Sequence, residues 1–482
     1  MTRISTYARA CFPFAALGFL AVAGCTVTTG VAGDAGGPDG GSNDAGMPET
    51  GSADDGGADG AAQDAGMDAT GDAAACNGSQ IPTQITASMT LTAACSPWHL
   101  TMPSTVGGPA SPVLTIEPGV TILADPGSSL VVGQASTGAA GIVATGTANA
   151  PIVMKSSAVT PAAGDWQGVQ LGAQILASSK LSYVEIDYAG SGMGAGTEAA
   201  ALQVGEGTNQ ASAVPLSYIT IKHDAGDGID LMGSNVGFGA GSGNLTIADW
   251  GSGDSPIVID PNETNTLAGV SFSTGATGKD GQVRLTCSDA CNGSSGVVNR
   301  DETWPSIAVP YLVDKSGVEI QGAGTSHATL TIQANTVMFT NDNPPTGIIV
   351  NAGNGAQGDL VATNVTFTSN SPSPSPGAWG GVYFYMPAQG LPSSSLTNCT
   401  FDYAGGNVWN ENACTGVVGI DNSGNTGALP GPTIQGCTFE NFVSSNAIGI
   451  VSSSGTNVQQ AASGAYQQNN TFVPASKGVC GS

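Results

Sequence analysis

VLTIEPGVTILADPGSSLVVG, residues 113–133, consists of three short apolar runs, VLTI, VTIL and LVVG, with EPG or ADPGSS between them. Val, Ile and Thr over three or four positions read as strands, and the Pro-Gly pairs that follow end each one in a tight corner. From residue 113 onward such runs recur between Gly, Asn and Ser clusters, and no segment sustains the 3.6-residue apolar period of a helix. The body of the chain is therefore expected to be all β.

Triplets of one pattern recur. VMF ends at Phe339, VTF at Phe367, CTF at Phe401, CTF at Phe439 and NTF at Phe472; in the first half the same slot reads IVM at Met154, VEI at Ile186, ITI at Ile221 and LTI at Ile247. Side chains alternate along a strand, so the apolar outer residues of each triplet share one face and the middle Thr or Glu takes the other. A unit of roughly 30 residues with several short strands cannot bury its apolar face alone, but stacked units share a continuous core. On this reading the runs of residues 113–133 are successive sides of one turn, and each finds its strand partner one turn away.

LTIEPGVTI, LVV, PIVMKSS, GDWQGVQL and LSYVEIDYAG resemble the right-handed parallel β-helix of the pectin-lyase-like superfamily, in the version carried by many bacterial surface lipoproteins. The resemblance spans residues 85–475 and implies a β-solenoid. It does not choose an activity, because this architecture hosts lyases, hydrolases, adhesins and inert scaffolds. The adjacent aspartates and Gly-His-Gly of polygalacturonases are not found, which weakens any transfer of pectinolytic activity.

The solenoid also reads as an internal duplication. GDWQGV at 164–169 returns as GAWGGV at 377–382, DYAG at 187–190 as DYAG at 402–405, LTI at 114–116 as LTI at 330–332, and SPWHL at 96–100 loosely as VPYLV at 309–313. The expected organisation is a signal peptide over 1–24, a disordered acidic tether over 25–75, a first β-helix module with its N-terminal cap (residues 76–112) over 76–302, and a second module with a C-terminal cap over 303–482. Whether the modules form one coil or two stacked coils stays open at this level.

Arg3 and Arg9 precede CFPFAALGFLAVAG, a run too short to span a bilayer but suited to secretion. It ends in Val22, Ala23, Gly24 and Cys25, which resembles a lipobox. That resemblance implies acylation of Cys25, palmitate included, and more than one acyl chain anchors stably. Thr26 stands where an aspartate would favour inner-membrane retention in the resembling lipoproteins, so the expected location is the outer membrane or cell surface. The Gly-, Ala- and Asp-rich tether carries an acid every fifth residue from Asp34 to Asp64, which keeps it extended.

The net charge is −26, and the eight basic and 26 acidic residues from Cys76 onward leave the body at −18. Nucleic acid is excluded as a partner on that balance, and an acidic polysaccharide would need bridging cations such as calcium. A monomer is expected. Eight cysteines follow Cys25: Cys76 with Cys95, Cys287 with Cys291, and Cys414 with Cys480 are candidate disulfides. Cys399 and Cys437 occupy one slot of consecutive turns and suit either a disulfide or buried thiols.

The best chemical cluster comes from superposing VEIDYAGSG, ITIKHDAGDG and LTIADWGSGD on Ile186, Ile221 and Ile247. Asp187 then lies over Lys222, and Tyr188 over His223 and Asp249, with Asp224 on the following corner. Neighbouring carboxylates can share a proton or a calcium ion, as a glycosidase or cation-dependent lyase requires, and Lys222 and His223 are the local bases. The bland reading is that Asp and Gly build tight corners. Ligand-contact candidates are Trp409, in an insertion without counterpart in the first copy, and Tyr383 with Tyr385 on one face of a strand; Trp166 and Trp379, at repeat-defined slots, read as corner packing. The expected role is a lipid-anchored surface scaffold that binds a polysaccharide, matrix or cell surface without catalysis. A polysaccharide lyase or glycoside hydrolase is the alternative, with Asp187, Lys222, His223, Asp224 and Asp249 as its residues, and a structural envelope spacer is the third reading.

Overall fold

In the computed structural model, the strand Val113–Ile116 pairs with Met89–Leu91 before it and Gly141–Thr145 after it; Thr121–Ala124 pairs with Trp98–Leu100 and Ile152–Ser156; Ser129–Val132 pairs with Ser104–Val106 and Gly168–Leu171. None pairs with its sequence neighbour, and all these ladders are parallel. Two corners between them turn at Gly119 and Gly127, with φ of 82° and 77°, where a Cβ would be strained. The structure describes residues 76, 79–192, 199–205, 213–231, 236–251, 254–274, 281–286, 296–314, 317–322, 326–340, 347–351, 357–406, 416–452, 458–459 and 463–481. Cys25, the tether, Trp409, Cys287, Cys291 and Cys414 lie outside the described residues.

The described residues, from Cys76 to Gly481, lie in one compact unit. A fourteen-stranded parallel sheet runs through it from Gln84–Ile85 to Thr471–Phe472, so the two repeats share one coil. A ten-stranded sheet, ending at Phe272–Ser273, flanks the first half. In the second half a seven-stranded sheet starts at Gly296–Val298 and a five-stranded one at Glu302–Trp304. The fold is a parallel β-helix, as the sequence indicates.

The triplet slot needs one correction. The first-half triplets lie in the ten-stranded sheet, whereas VMF, VTF, CTF, CTF and NTF lie in the fourteen-stranded one. The same shift separates every repeated motif: GDWQGV leads into Gly168–Leu171 of the fourteen-stranded sheet, and GAWGGV into Gly381–Tyr385 of the seven-stranded sheet. Local geometry is nevertheless conserved. Trp166 Nε1 donates to the carbonyl of Asp187 at 2.9 Å, and Trp379 Nε1 to that of Asp402 at 2.7 Å. Both indoles are fully buried, which places them as corner packing. The shift coincides with the seam, where the ten-stranded sheet ends at Phe272–Ser273 and the seven- and five-stranded sheets begin at Gly296–Val298 and Glu302–Trp304.

Polar side chains fasten this seam. Asn262 Nδ2 donates to the Val297 carbonyl, Asn262 Oδ1 accepts from the Asn299 N–H, and Arg300 pairs with Glu263. Glu302 Oε1 accepts from the Thr264 hydroxyl and the Asn265 N–H, while its Oε2 is buried without a partner. Burial raises the Glu302 carboxyl to about 7.

The expected N-terminal cap is shorter than residues 76–112, because coil strands begin at Gln84–Ile85. Cys76 and Cys95 are disulfide-bonded ahead of the buried Trp98. Cys480 is also disulfide-bonded. Cys399 and Cys437 are buried free thiols. At the C-terminal end the helix Ala465–Gln468 lays Tyr466 against the core, with its hydroxyl on the Pro432 carbonyl.

The second-half core is an aromatic ladder. Phe367 and Phe401 stack with centroids 5.0 Å apart, Phe401 and Phe439 at 4.8 Å, and Phe439 and Phe472 at 5.6 Å. These separations follow the roughly 4.8 Å spacing of adjacent strands. Phe401→Ala removes the central rung and should cost about 3–5 kcal/mol. Urea denaturation of the variant would show this as a lowered midpoint, and a loss below about 1 kcal/mol would mean that the ladder collapses to fill the gap.

Candidate functional site

Strands Lys180–Asp187 and Leu216–Lys222 pair in register, Leu181 with Leu216, Ile186 with Ile221 and Asp187 with Lys222, and Ile221 in turn pairs with Ile247. The superposition made on the sequence is therefore correct. Leu181, Val184, Ile186, Leu216, Ile219 and Ile221 fill the core, which sends Glu185 and Thr220 outward, with Thr246 in the same file on the third turn.

Each long strand bends in its middle. The residue at the bend is Tyr183 (φ 51°), Tyr218 (φ 55°) and, on the next turn, Asn244 (φ 56°). The equivalent bends of the second half carry Asn364 (φ 56°) and Asn398 (φ 53°). Asn adopts the left-handed conformation with little cost, whereas a bulky residue there costs of order 1–3 kcal/mol. The two tyrosines are thus kept where asparagine would be easier. Their rings stack with centroids 4.2 Å apart and planes 4° from parallel, and Tyr218 is 44% exposed.

Beside these rings lies an open groove of about 700 Å³ that crosses successive turns. Thr147 and Pro151 close one end and Ser271 and Phe272 the other, with Glu185, Thr220 and Thr246 on the floor. Glu185 is its one acidic residue, and Lys222 Nζ reaches Glu185 Oε1 at 2.8 Å.

The acidic cluster adjoins the groove. His223 Nδ1 is 2.7 Å from Asp187 Oδ1, and its Nε2 is 3.7 Å from Asp249 Oδ2. The His223 ring stacks on Tyr188 at 4.7 Å. Tyr188, His223 and Asp249 all hold positive φ, so this is a second corner ladder. Asp187, Lys222, His223 and Asp249 come together as expected.

Asp224 does not join them. It is 2% exposed, in the slot that Ala189 fills on the turn before, and neither carboxyl oxygen has a hydrogen-bond partner. Burial first, with the charges of Asp187 and Asp249 adding to it, lifts this carboxyl to about 9. A corner residue two positions past an outward strand end turns inward, and that is why superposition of the sequence alone misplaces it on the open face.

This arrangement is poor for hydrolysis or elimination. Asp224, the carboxylic acid kept protonated, is sealed from solvent and is not placed to give its proton to a substrate on the open face. The hydrogen bond to Glu185 raises Lys222, which therefore stays protonated at neutral pH and is unsuited to act as a base. Among the described residues no group of three or more His, Cys, Asp or Glu side chains converges to hold a metal ion.

Other candidates resolve differently. Tyr383 is 4% exposed, not part of an open strip: Gly419 on the next strand has no side chain, the ring lies into that gap, and the hydroxyl donates to Asp421 at 3.2 Å. Tyr385 is half-buried and meets Tyr383 edge-on. His327 Nε2 contacts Asp359 Oδ2 at 2.9 Å and the Ser394 hydroxyl donates to the other Asp359 oxygen. With the carboxylate in the middle, this trio does not place an imidazole on the serine, as nucleophile activation requires. Sequence reasoning missed Tyr183 and Tyr218, although LSY at 181–183 and again at 216–218 was a usable signal.

Residues 83–176 match the family model of the pectate-lyase like beta helix domain, so the early turns of the coil are similar to that domain. No curated protein and no solved structure matches the chain.

The sign of the Asp224 shift yields a test. Its folded-state value lies above the ordinary 3.8, so the stability tied to its proton is full below about 4 and is lost as pH rises towards 9. Asp224→Ala, which restores the residue type of the Ala189 slot, should raise the unfolding midpoint at pH 8 and flatten its decline between pH 5 and 9. An unchanged pH profile would show that the carboxyl is solvated.

Proposed function

We propose that this chain is an exported, lipid-anchored scaffold that binds a polymer at the cell surface without cleaving it. The observation that carries this reading is the groove beside Tyr183 and Tyr218, where two aromatic rings are held in a strained backbone conformation on an open, rigid face. Strain of that kind persists only where the surrounding structure overdetermines it, and it concentrates at functional positions. The anchor rests on the sequence alone, through Cys25 and the acidic tether that would hold the coil away from the membrane.

The enzymatic alternative finds less support. Its basic residues are engaged, His223 between Asp187 and Asp249 and Lys222 on Glu185, and its most perturbed carboxyl is sealed in the core. A spacer without a ligand leaves the tyrosine corners unexplained.

The test is size-exclusion chromatography with light scattering of residues 76–482 mixed with neutral and acidic polysaccharides, with and without calcium. Co-elution at unchanged polymer mass is the expected result. A protein-dependent fall in polymer mass would replace this reading with an enzyme.

A further inference from the structure

The groove crosses the turns rather than following a strand. From the Thr147–Pro151 side to Ser271 and Phe272 it passes Tyr183, Tyr218 and Asn244, one residue from each successive turn. Four strand spacings of about 4.8 Å make it roughly 19 Å long. One turn therefore advances by close to the length of a pyranose unit.

Its chemistry is that of a surface for uncharged hydroxyls. Thr147, Thr220, Thr246, Asn244, Ser271 and Ser273 supply hydroxyl and amide groups along the whole length. Glu185 is neutralised by Lys222 yet keeps a second carboxylate oxygen, a strong acceptor for a ligand hydroxyl. Tyr183 covers one face of the Tyr218 ring, and the stack stops there because the next turn carries Asn244. Tyr218 is 44% exposed, which leaves ring surface open to receive the apolar C–H face of a sugar. An acidic polymer meets no unpaired cation in this lining and faces a body charge of −18.

We propose that the groove binds a neutral glycan in extended form, laid along the coil axis, with a sugar face on Tyr218 and a sugar hydroxyl on Glu185. This rests on the binding reading above and names its ligand class.

Affinity electrophoresis of the full chain in mild detergent tests it, with gels containing a neutral β-glucan, mannan or xylan on one side and polygalacturonate or alginate, with and without calcium, on the other. The expected result is retardation by a neutral polymer alone. Tyr218→Asn, which puts at this corner the residue that Asn244, Asn364 and Asn398 show to be compatible with the fold, should weaken that retardation roughly tenfold. Tyr218→Phe should keep it. Retardation by a neutral polymer that survives Tyr218→Asn would overturn the groove while leaving a binding scaffold in place. Retardation by acidic polymers alone would overturn the ligand class, and none by any polymer would remove both this inference and the binding reading.

Discussion

The strands of this coil pair with the turns above or below and not with their neighbours in sequence, and most of the architecture depends on that single constraint. A side chain directed inward must pack against its counterparts one turn away, which is why Phe367, Phe401, Phe439 and Phe472 stack as a ladder. A corner must bend at the same place in each turn or the ladder breaks. The bends at Tyr183, Tyr218 and Asn244 therefore share nearly the same φ although their side chains differ. Backbone geometry is set by the stack, and side-chain identity at a corner is left free for other uses.

The same constraint explains the seam. At the seam one sheet continues, the ten-stranded sheet stops, and two new sheets start at Gly296–Val298 and Glu302–Trp304. Starting a sheet leaves its first strand without a strand beneath it, and the N–H and C=O groups there must find other partners. Asn262 takes the Val297 carbonyl and the Asn299 N–H, and Glu302 takes the Asn265 N–H. The compensation is incomplete, since Glu302 Oε2 stays buried and unpartnered, and desolvation holds its proton to about 7.

The fold is legible in the sequence because its signals are periodic. Pro-Gly corners and three-residue alternation recur often enough that one stretch, residues 113–133, already fixes strand, corner and partner distance, and the match over residues 83–176 covers the same turns. The stacking of Asp187 on Lys222 is legible for the same reason, as a consequence of register. What the sequence hides are facts about facing. Asp224 reads as outward only if alternation is carried past the end of the strand, where a corner at His223 reverses it. Tyr383 reads as part of an exposed strip because the bare Gly419 beside it belongs to a turn 36 residues later. The one-face shift is invisible because motifs at offsets of 213 and 215 look like a plain tandem repeat whichever faces they occupy.

The tyrosine corners show how this architecture separates stability from recognition. Binding an extended polymer is opposed by the ordering of both partners, and a surface already fixed by the fold removes the protein's share of that cost. Strands joined on both sides by full ladders supply such a surface, whereas a loop of equal area would have to be ordered at the moment of binding. The energetic penalty of placing Tyr183 and Tyr218 in the left-handed region is absorbed by a ladder that would enforce the bend for any residue. A face-to-face pair also stiffens each ring against its neighbour at 4.2 Å, so the exposed face of Tyr218 is presented in a single orientation. Recognition on this coil is therefore decided at corners, where the stack dictates the backbone and leaves the side chain to be chosen for what it touches.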